Sequence, residues 1–170
     1  TAGELVRFLN DYVANSKYGD SIDASARAQL GQMANFVNKG WLETKLTVPE
    51  MAEGFGIDSA TAEALYNYYG YTRVMEEIAA HPELAGNIQD LLAGQQNLKL
   101  TPVEFVDFVL AHKDDTMLAG QIAPEMVGKL GFLQGLMRDT LNGRVYTPAE
   151  AAGLMGIDAG RMDLIYSLYE

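Results

Sequence analysis

Laid over itself at an offset of 100 residues, without a gap, the chain matches in 15 of 70 positions. The densest stretch sets Thr47-Val-Pro-Glu-Met-Ala-Glu-Gly-Phe-Gly-Ile-Asp58 against Thr147-Pro-Ala-Glu-Ala-Ala-Gly-Leu-Met-Gly-Ile-Asp158, and each is followed by a segment carrying Tyr-x-x-Tyr (Tyr66 and Tyr69, Tyr166 and Tyr169). A duplication accounts for the pattern: two diverged copies of one unit, residues 1–70 and 101–170, joined by a bridge over 71–100. Two copies at so long a period do not fit an open solenoid, in which three or more short repeats must stack.

The matched positions also say what each unit is made of. Thr1-x-x-Glu4, Thr47-x-x-Glu50, Thr101-x-x-Glu104 and Thr147-x-x-Glu150 have the spacing of a capping box. In that motif the Thr hydroxyl accepts from an orphan amide while the Glu reaches back to the cap. Pro49, Pro102 and Pro148 fall in the first turn, where a missing amide hydrogen costs little. Gly56 and Gly156 suit a left-handed residue just past a short helix, and Asp58 and Asp158 can cap the next one. Apolar residues recur at i, i+3, i+4, i+7, as in Leu5, Phe8, Leu9, Tyr12 and in Phe105, Phe108, Val109, His112, the period of an amphipathic helix. Further stripes are Ala26, Leu30, Met33, Val37 and Ala62, Leu65, Tyr66, Tyr69, mirrored by Met126, Leu130, Leu133, Met137 and Met162, Ile165, Tyr166, Tyr169. The expectation is an all-α chain with helices over 2–15, 24–39, 48–55 and 59–69, and the same at plus 100. Two diverged four-helix units in tandem pack as one compact domain. The bridge reads as two short helices broken at His81-Pro82, since the residue before Pro disfavours the α region.

Composition narrows the function classes. The net charge is 12 − 23 = −11, which repels nucleic acid and anionic lipid. The pair of segments over 47–69 resembles a helix-turn-helix, yet its second helix, 58–70, has no Lys or Arg to neutralise phosphate. Nucleic acid is therefore not an expected partner. With no Cys, disulfides, thiolate metal sites and cysteine nucleophiles are excluded together. No stretch reaches the ~20 apolar residues of a membrane helix, and residues 1–4 lack the basic start of a signal peptide. The chain does not open on Met, which is compatible with its being cut from a longer parent.

The residues that could carry chemistry are sparse. His81 and His112 lie 31 positions apart, and neither has a second His or a carboxylate at i+4 to make a helical metal site. His112 reads as a partly buried packing residue and His81 as a helix end before Pro82. Glu76-Glu77 and Asp114-Asp115 diverge as neighbours on a helix and read as solvated surface. Residues 15–23 lack the ligand spacing of a calcium loop. Gly54-Phe-Gly56 follows a helix and not a strand, so it is no dinucleotide fingerprint. No catalytic, cofactor-binding or metal set emerges, and a non-enzymatic chain is expected. The eight Met and nine Tyr fall mostly on the core stripes. Trp41, Tyr68, Tyr69 and Tyr71 cluster near unit ends and are the candidate contact surface.

The motifs Thr101-Pro-Val-Glu-Phe-Val-Asp-Phe-Val109 and Tyr146-Thr-Pro-Ala-Glu-Ala-Ala-Gly-Leu-Met-Gly-Ile-Asp158, with Leu-Ile-Tyr-Ser-Leu-Tyr169 after them, resemble segments of MMPL-type transporters of the resistance-nodulation-division (RND) superfamily. The resemblance covers about half the chain, and much of each motif is cap, turn and core. It implies a helical domain on the extracytoplasmic side of a bacterial membrane exporter. Its partners would be the remainder of a membrane-embedded parent or neighbouring subunits. The proton-relay carboxylates would lie in membrane helices absent from this chain, so no functional residue carries over. The rival expectation is a free-standing helical protein–protein interaction module.

Overall fold

In the computed structural model the described residues are 1–13, 24–115, 118 and 124–169. The chain is all-α. Helices α1 (Ala2–Phe8), α2 (Ala24–Lys39), α3 (Val48–Phe55), α4 (Ser59–Ala80), α5 (Ile88–Ala93), α6 (Pro102–Ala111), α7 (Pro124–Leu141), α8 (Pro148–Met155) and α9 (Ala159–Tyr169) follow in order. A π-helical turn, Leu9–Val13, continues α1, and a 3-10 segment, Pro82–Asn87, precedes α5. Among the described residues the one β-type pairing is an isolated antiparallel bridge between Leu46 and Leu100. The end of the first predicted helix, Ile22 and Ile122 (identical at the offset of 100), the 15–23 loop, and the side chains of Tyr12, Ala26, Met126 and Tyr169 lie outside the described residues.

Local chemistry places the helix starts. All four capping boxes form. At α3 the Glu50 amide donates to Thr47 Oγ1 at 3.4 Å and the Thr47 amide donates to the Glu50 carboxylate at 3.0 Å. At α6 the corresponding distances are 3.2 and 3.0 Å. Two orphan amides are thereby satisfied at each start. Gly56 and Gly156 both stand at φ 65°, with ψ 32° and 30°, where a Cβ is disfavoured. The next amide then turns back: Ile57 to Ala52 at 3.1 Å, Ile157 to Ala152 at 3.0 Å.

Besides α6, which stops at Ala111 and not near residue 115, two elements depart from the reading of the sequence. Helix α4 does not stop near residue 69 but runs on to Ala80, so the first third of the bridge belongs to it. Gly70 is buried within this helix, and a Cβ there would lie 2.9 Å from Gln95 Cβ. The glycine admits a close neighbour and does not end the helix. The second departure breaks the uniform offset. The turn after α2 has Gly40 at φ 66°, with the Trp41 amide bonded to Phe36, whereas after α7 the same turn has Gly143 at φ 65°, with Arg144 bonded to Asp139. Helix α7 is longer and the loop behind it shorter, so the two loops regain register only at Thr47 and Thr147.

The chain forms two compact units, Thr1–Leu42 with Gly131–Glu170, and Glu43–Leu130. Each unit combines opening helices from one half with closing helices from the other. The core of the first contains Val6, Leu9, Leu30, Met33, Phe36, Leu136, Met137, Met162 and Ile165. In the second, Phe105 is buried between Phe55 and Tyr66, with ring centroids 5.3 and 6.0 Å away. Removing such a side chain from water stabilises by about 2–3 kcal/mol.

Candidate functional site

The candidate contact residues do not form one set. In the unit Glu43–Leu130, α4 brings Tyr68 and Tyr71 together as stacked rings, centroids 6.3 Å apart and 17° from parallel. Tyr68 also lies against Phe108 of α6 at 5.7 Å and edge-on to His112 at 5.9 Å. Tyr69 meets Phe108 edge-on at 5.0 Å and has the Arg73 guanidinium 5.7 Å from its ring centre. Trp41 belongs to the other unit, near Phe36 at 6.4 Å, with the Lys39 ammonium 4.3 Å over its ring. Of the four, only Tyr71 is exposed, at 43%. Tyr68 and Tyr69 are anchors of a helix–helix contact, which accounts for their aromatic character without a partner.

Asp115 completes this cluster. Its Oδ2 accepts from the Tyr68 hydroxyl at 2.6 Å and lies 2.7 Å from His112 Nδ1. The Tyr68 bond, and then that of His112, hold the Asp115 carboxyl below its ordinary value, while the same bond raises the Tyr68 phenol. Asp115, read with Asp114 as solvated surface, keeps its side chain 41% exposed but is tied to Tyr68 and His112. His112 packs on Phe108 with centroids 4.5 Å apart, as expected of a partly buried ring. His81 caps α4 before Pro82. Among the described residues no three His, Cys, Asp or Glu are grouped to hold a metal ion.

The feature that the sequence did not single out is a cleft of about 170 Å³ in the unit of Thr1–Leu42 and Gly131–Glu170. Thr1, Glu4, Leu5 and Phe8 from α1 line it, with Val145 and Tyr146 from the loop before α8 and Tyr166 from α9. Tyr166 donates to the Tyr146 carbonyl at 2.9 Å. Tyr146 is held in turn by its hydroxyl, which donates to Asp139, and by the Arg144 guanidinium 5.1 Å from its ring centre. Burial and then that Asp139 bond push the Tyr146 phenol well up. Val145 is 69% exposed.

Each lining residue has a counterpart 100 positions away, and in the unit Glu43–Leu130 the counterparts are closed over. Tyr66 donates to the Leu46 carbonyl at 2.8 Å, as Tyr166 does to Tyr146. There, however, Leu46 also exchanges both backbone bonds with Leu100, at 2.7 and 3.2 Å. Lys45 Nζ holds both oxygens of Glu104, at 2.6 and 2.7 Å. Burial pushes the Glu104 carboxyl up, but the bonds from Lys45 and the Thr101 amide outweigh it and leave it below its ordinary value. In the open cleft Val145 stands for Lys45 and Leu5 for Phe105. No acceptor meets the Tyr146 amide among the described residues. The signal available in the sequence was a mismatch: two positions that break the repeat beside residues that keep it.

Among the described residues no helix is long and apolar enough to cross a membrane. No family model, no curated protein and no solved structure matches the chain.

Proposed function

We propose that this chain is a non-catalytic helical contact module, and that it engages a partner protein through the cleft between α1, the 143–147 loop and α9. The observation that carries this reading is the contrast between the two units. In one set of equivalent side chains Lys45 holds Glu104 and the buried Phe105 ring fills the core, while in the other Val145, 69% exposed, and the smaller Leu5 line a cleft. Apolar pockets with a few fixed polar groups at the rim are where partners gain most from displacing water.

The resemblance of the 101–109 and 146–158 motifs to MMPL-type transporters gives the module a setting. It would sit on the extracytoplasmic side of an RND-like exporter, in contact with the rest of a membrane-embedded parent or a neighbouring subunit. Those motifs serve here as caps, turns and core, so the geometry adds no independent support for that setting. In-frame spans of ~20 apolar residues in the coding DNA on either side would favour it over a free-standing module.

The contact reading is tested by placing a photo-crosslinking residue at Val145 in cells that make the protein. Specific protein adducts are expected, and Leu5→Phe, which restores the larger ring of the sealed unit, should reduce them at least fivefold. Adduct levels no higher than from the exposed Lys113 would reject the cleft as a contact site.

A further inference from the structure

Along α4, Tyr71, Met75 and Ile78 recur at i, i+4 and i+7, which puts them in one stripe of the helix. On one side of the stripe lie Gly70, packed against Gln95, and the buried Val74. On the other lies Tyr68, turned to Phe108 and His112. The stripe between these two contacts is left open: Tyr71 is exposed, and Met75 and Ile78 are only half-buried. The 3-10 segment and α5, which follow α4, bury no side chain fully, and Leu84, Ile88, Leu91 and Leu92 are all half-buried. Short helices draw their stability from packing an apolar face, and here that packing is incomplete. An apolar stripe at helical spacing is the surface that an amphipathic helix of a partner covers.

The charges around the stripe decide what covers it. At its Tyr68 end, Asp115 meets both the Tyr68 hydroxyl and His112 through Oδ2, which leaves Oδ1 without a hydrogen bond among the described residues. Those two bonds favour the ionised carboxylate. The Tyr71 ring, stacked on Tyr68, adds a face that attracts a cation. Asp114 and Asp115 outnumber the neighbouring Lys113, and over 71–98 Arg73 stands alone against Glu76, Glu77, Glu83 and Asp90. All four carboxylates are exposed. His81 meets Glu83, while Glu76, Glu77 and Asp90 have no ion pair among the described residues. A second copy laid on the stripe would set these carboxylates against their own kind, and anionic lipid is repelled for the same reason. A basic helix meets neither penalty.

We propose that the Tyr71–Met75–Ile78 stripe docks an amphipathic helix of a partner protein, apolar on one face and carrying a basic residue at one end. The apolar residues cover Met75 and Ile78. The basic side chain lies against the Tyr71 ring and pairs with Asp115 Oδ1. This surface is separate from the cleft proposed above and does not rest on that reading.

The probe is a capped peptide of about 15 residues, long enough to become helical once docked. It is built from Ala and Gln, with Leu at i, i+4 and i+7 and one Arg a turn before the first Leu, and is titrated into the full chain by NMR. Saturable shifts are expected at Tyr71, Met75, Ile78 and His112. Replacing the Arg by Glu, or redistributing the same Leu residues around the helix, should weaken binding at least fivefold. Tyr71→Ser, at an exposed position, should do the same, as should Asp115→Asn, which removes the charge but keeps an acceptor for Tyr68. No shift at millimolar peptide, shifts confined to other surfaces, or an affinity indifferent to the Arg or to Tyr71 would overturn the proposal. Self-association of the chain that Tyr71→Ser abolishes would overturn it too, by assigning the stripe to a second copy. So would the same shifts produced by phosphatidylglycerol vesicles, which would assign it to lipid.

Discussion

At Asp115 a single carboxylate oxygen takes the Tyr68 hydroxyl and faces His112 Nδ1. The downward shift of its pKa ties the α4–α6 contact to pH. Asp115 is ionised in the folded state at pH values where the unfolded chain would be partly protonated, so it contributes stability above the ordinary aspartate range. That contribution is lost as pH falls through the lowered folded value. Tyr68→Phe removes the largest of the lowering interactions. The Asp115 pKa, followed by its carboxyl carbon in an NMR titration, should therefore move up toward the ordinary value. An unmoved value would mean that His112 supplies the whole effect. This residue was not legible in the sequence, because Tyr68 lies 47 positions away and only the fold makes them neighbours. The cleft was half legible: Leu5 and Val145 were visible as departures from Phe105 and Lys45, but what those two residues seal is seen only when Leu100 is placed beside Leu46.

At the scale of the element, legibility follows the range of the interaction. Caps and glycine turns depend on residues three to five apart, and all four boxes and both left-handed glycines stand where their spacing put them. The end of α4 at Ala80, before His81-Pro82, is local and was announced, whereas the buried Gly70 against Gln95 in its middle joins residues 25 apart, and no local pattern shows it. A pair of substitutions in one short stretch separates glycine as turn from glycine as spacer. A Cβ on Gly156 or on Gly153 would meet nothing within 4 Å, so neither change introduces a clash. Gly156 has φ 65°, and Gly156→Ala should destabilise by about 1 kcal/mol, the cost of a left-handed L-residue. Gly153 lies inside α8 and is exposed, so Gly153→Ala should stabilise by about 0.5–1 kcal/mol through helix propensity. Urea unfolding of the two variants would show midpoints shifted in opposite directions. Shifts of the same sign would mean that the turn conformation does not control the cost.

For the whole molecule, self-similarity along the chain and packing in space answer different questions. Identities at n and n + 100 mark segments that can adopt the same structure. They do not say whether an opening pair of helices closes on its own second half or on the other one, since the apolar faces are alike. The contacts decide this. Phe105 packs on Phe55 and Tyr66, and Leu100 pairs with Leu46, so 43–70 is completed by 100–130. The Ala2 amide reaches the Arg144 carbonyl at 2.7 Å, and Thr140 Cγ2 lies 3.2 Å from where a Gly3 Cβ would be, so 1–42 is completed by 131–170. Segments with like apolar faces can complete one another in this way, as they do in a swapped dimer. It makes opposite predictions for two fragments. Residues 43–130 carry a whole unit with its core residues Leu46, Met51, Leu65, Leu100, Phe105 and Val109. That fragment should be helical by circular dichroism, with a cooperative urea transition. Residues 1–70 carry one copy of the repeat but half of each core, and as a dilute monomer they should show little helix and no cooperative transition. Any helicity they gain should grow with concentration, because a second copy can offer the missing faces. Cooperative, concentration-independent folding of 1–70 together with an unfolded 43–130 would make the repeat itself the folding unit and reject the exchange.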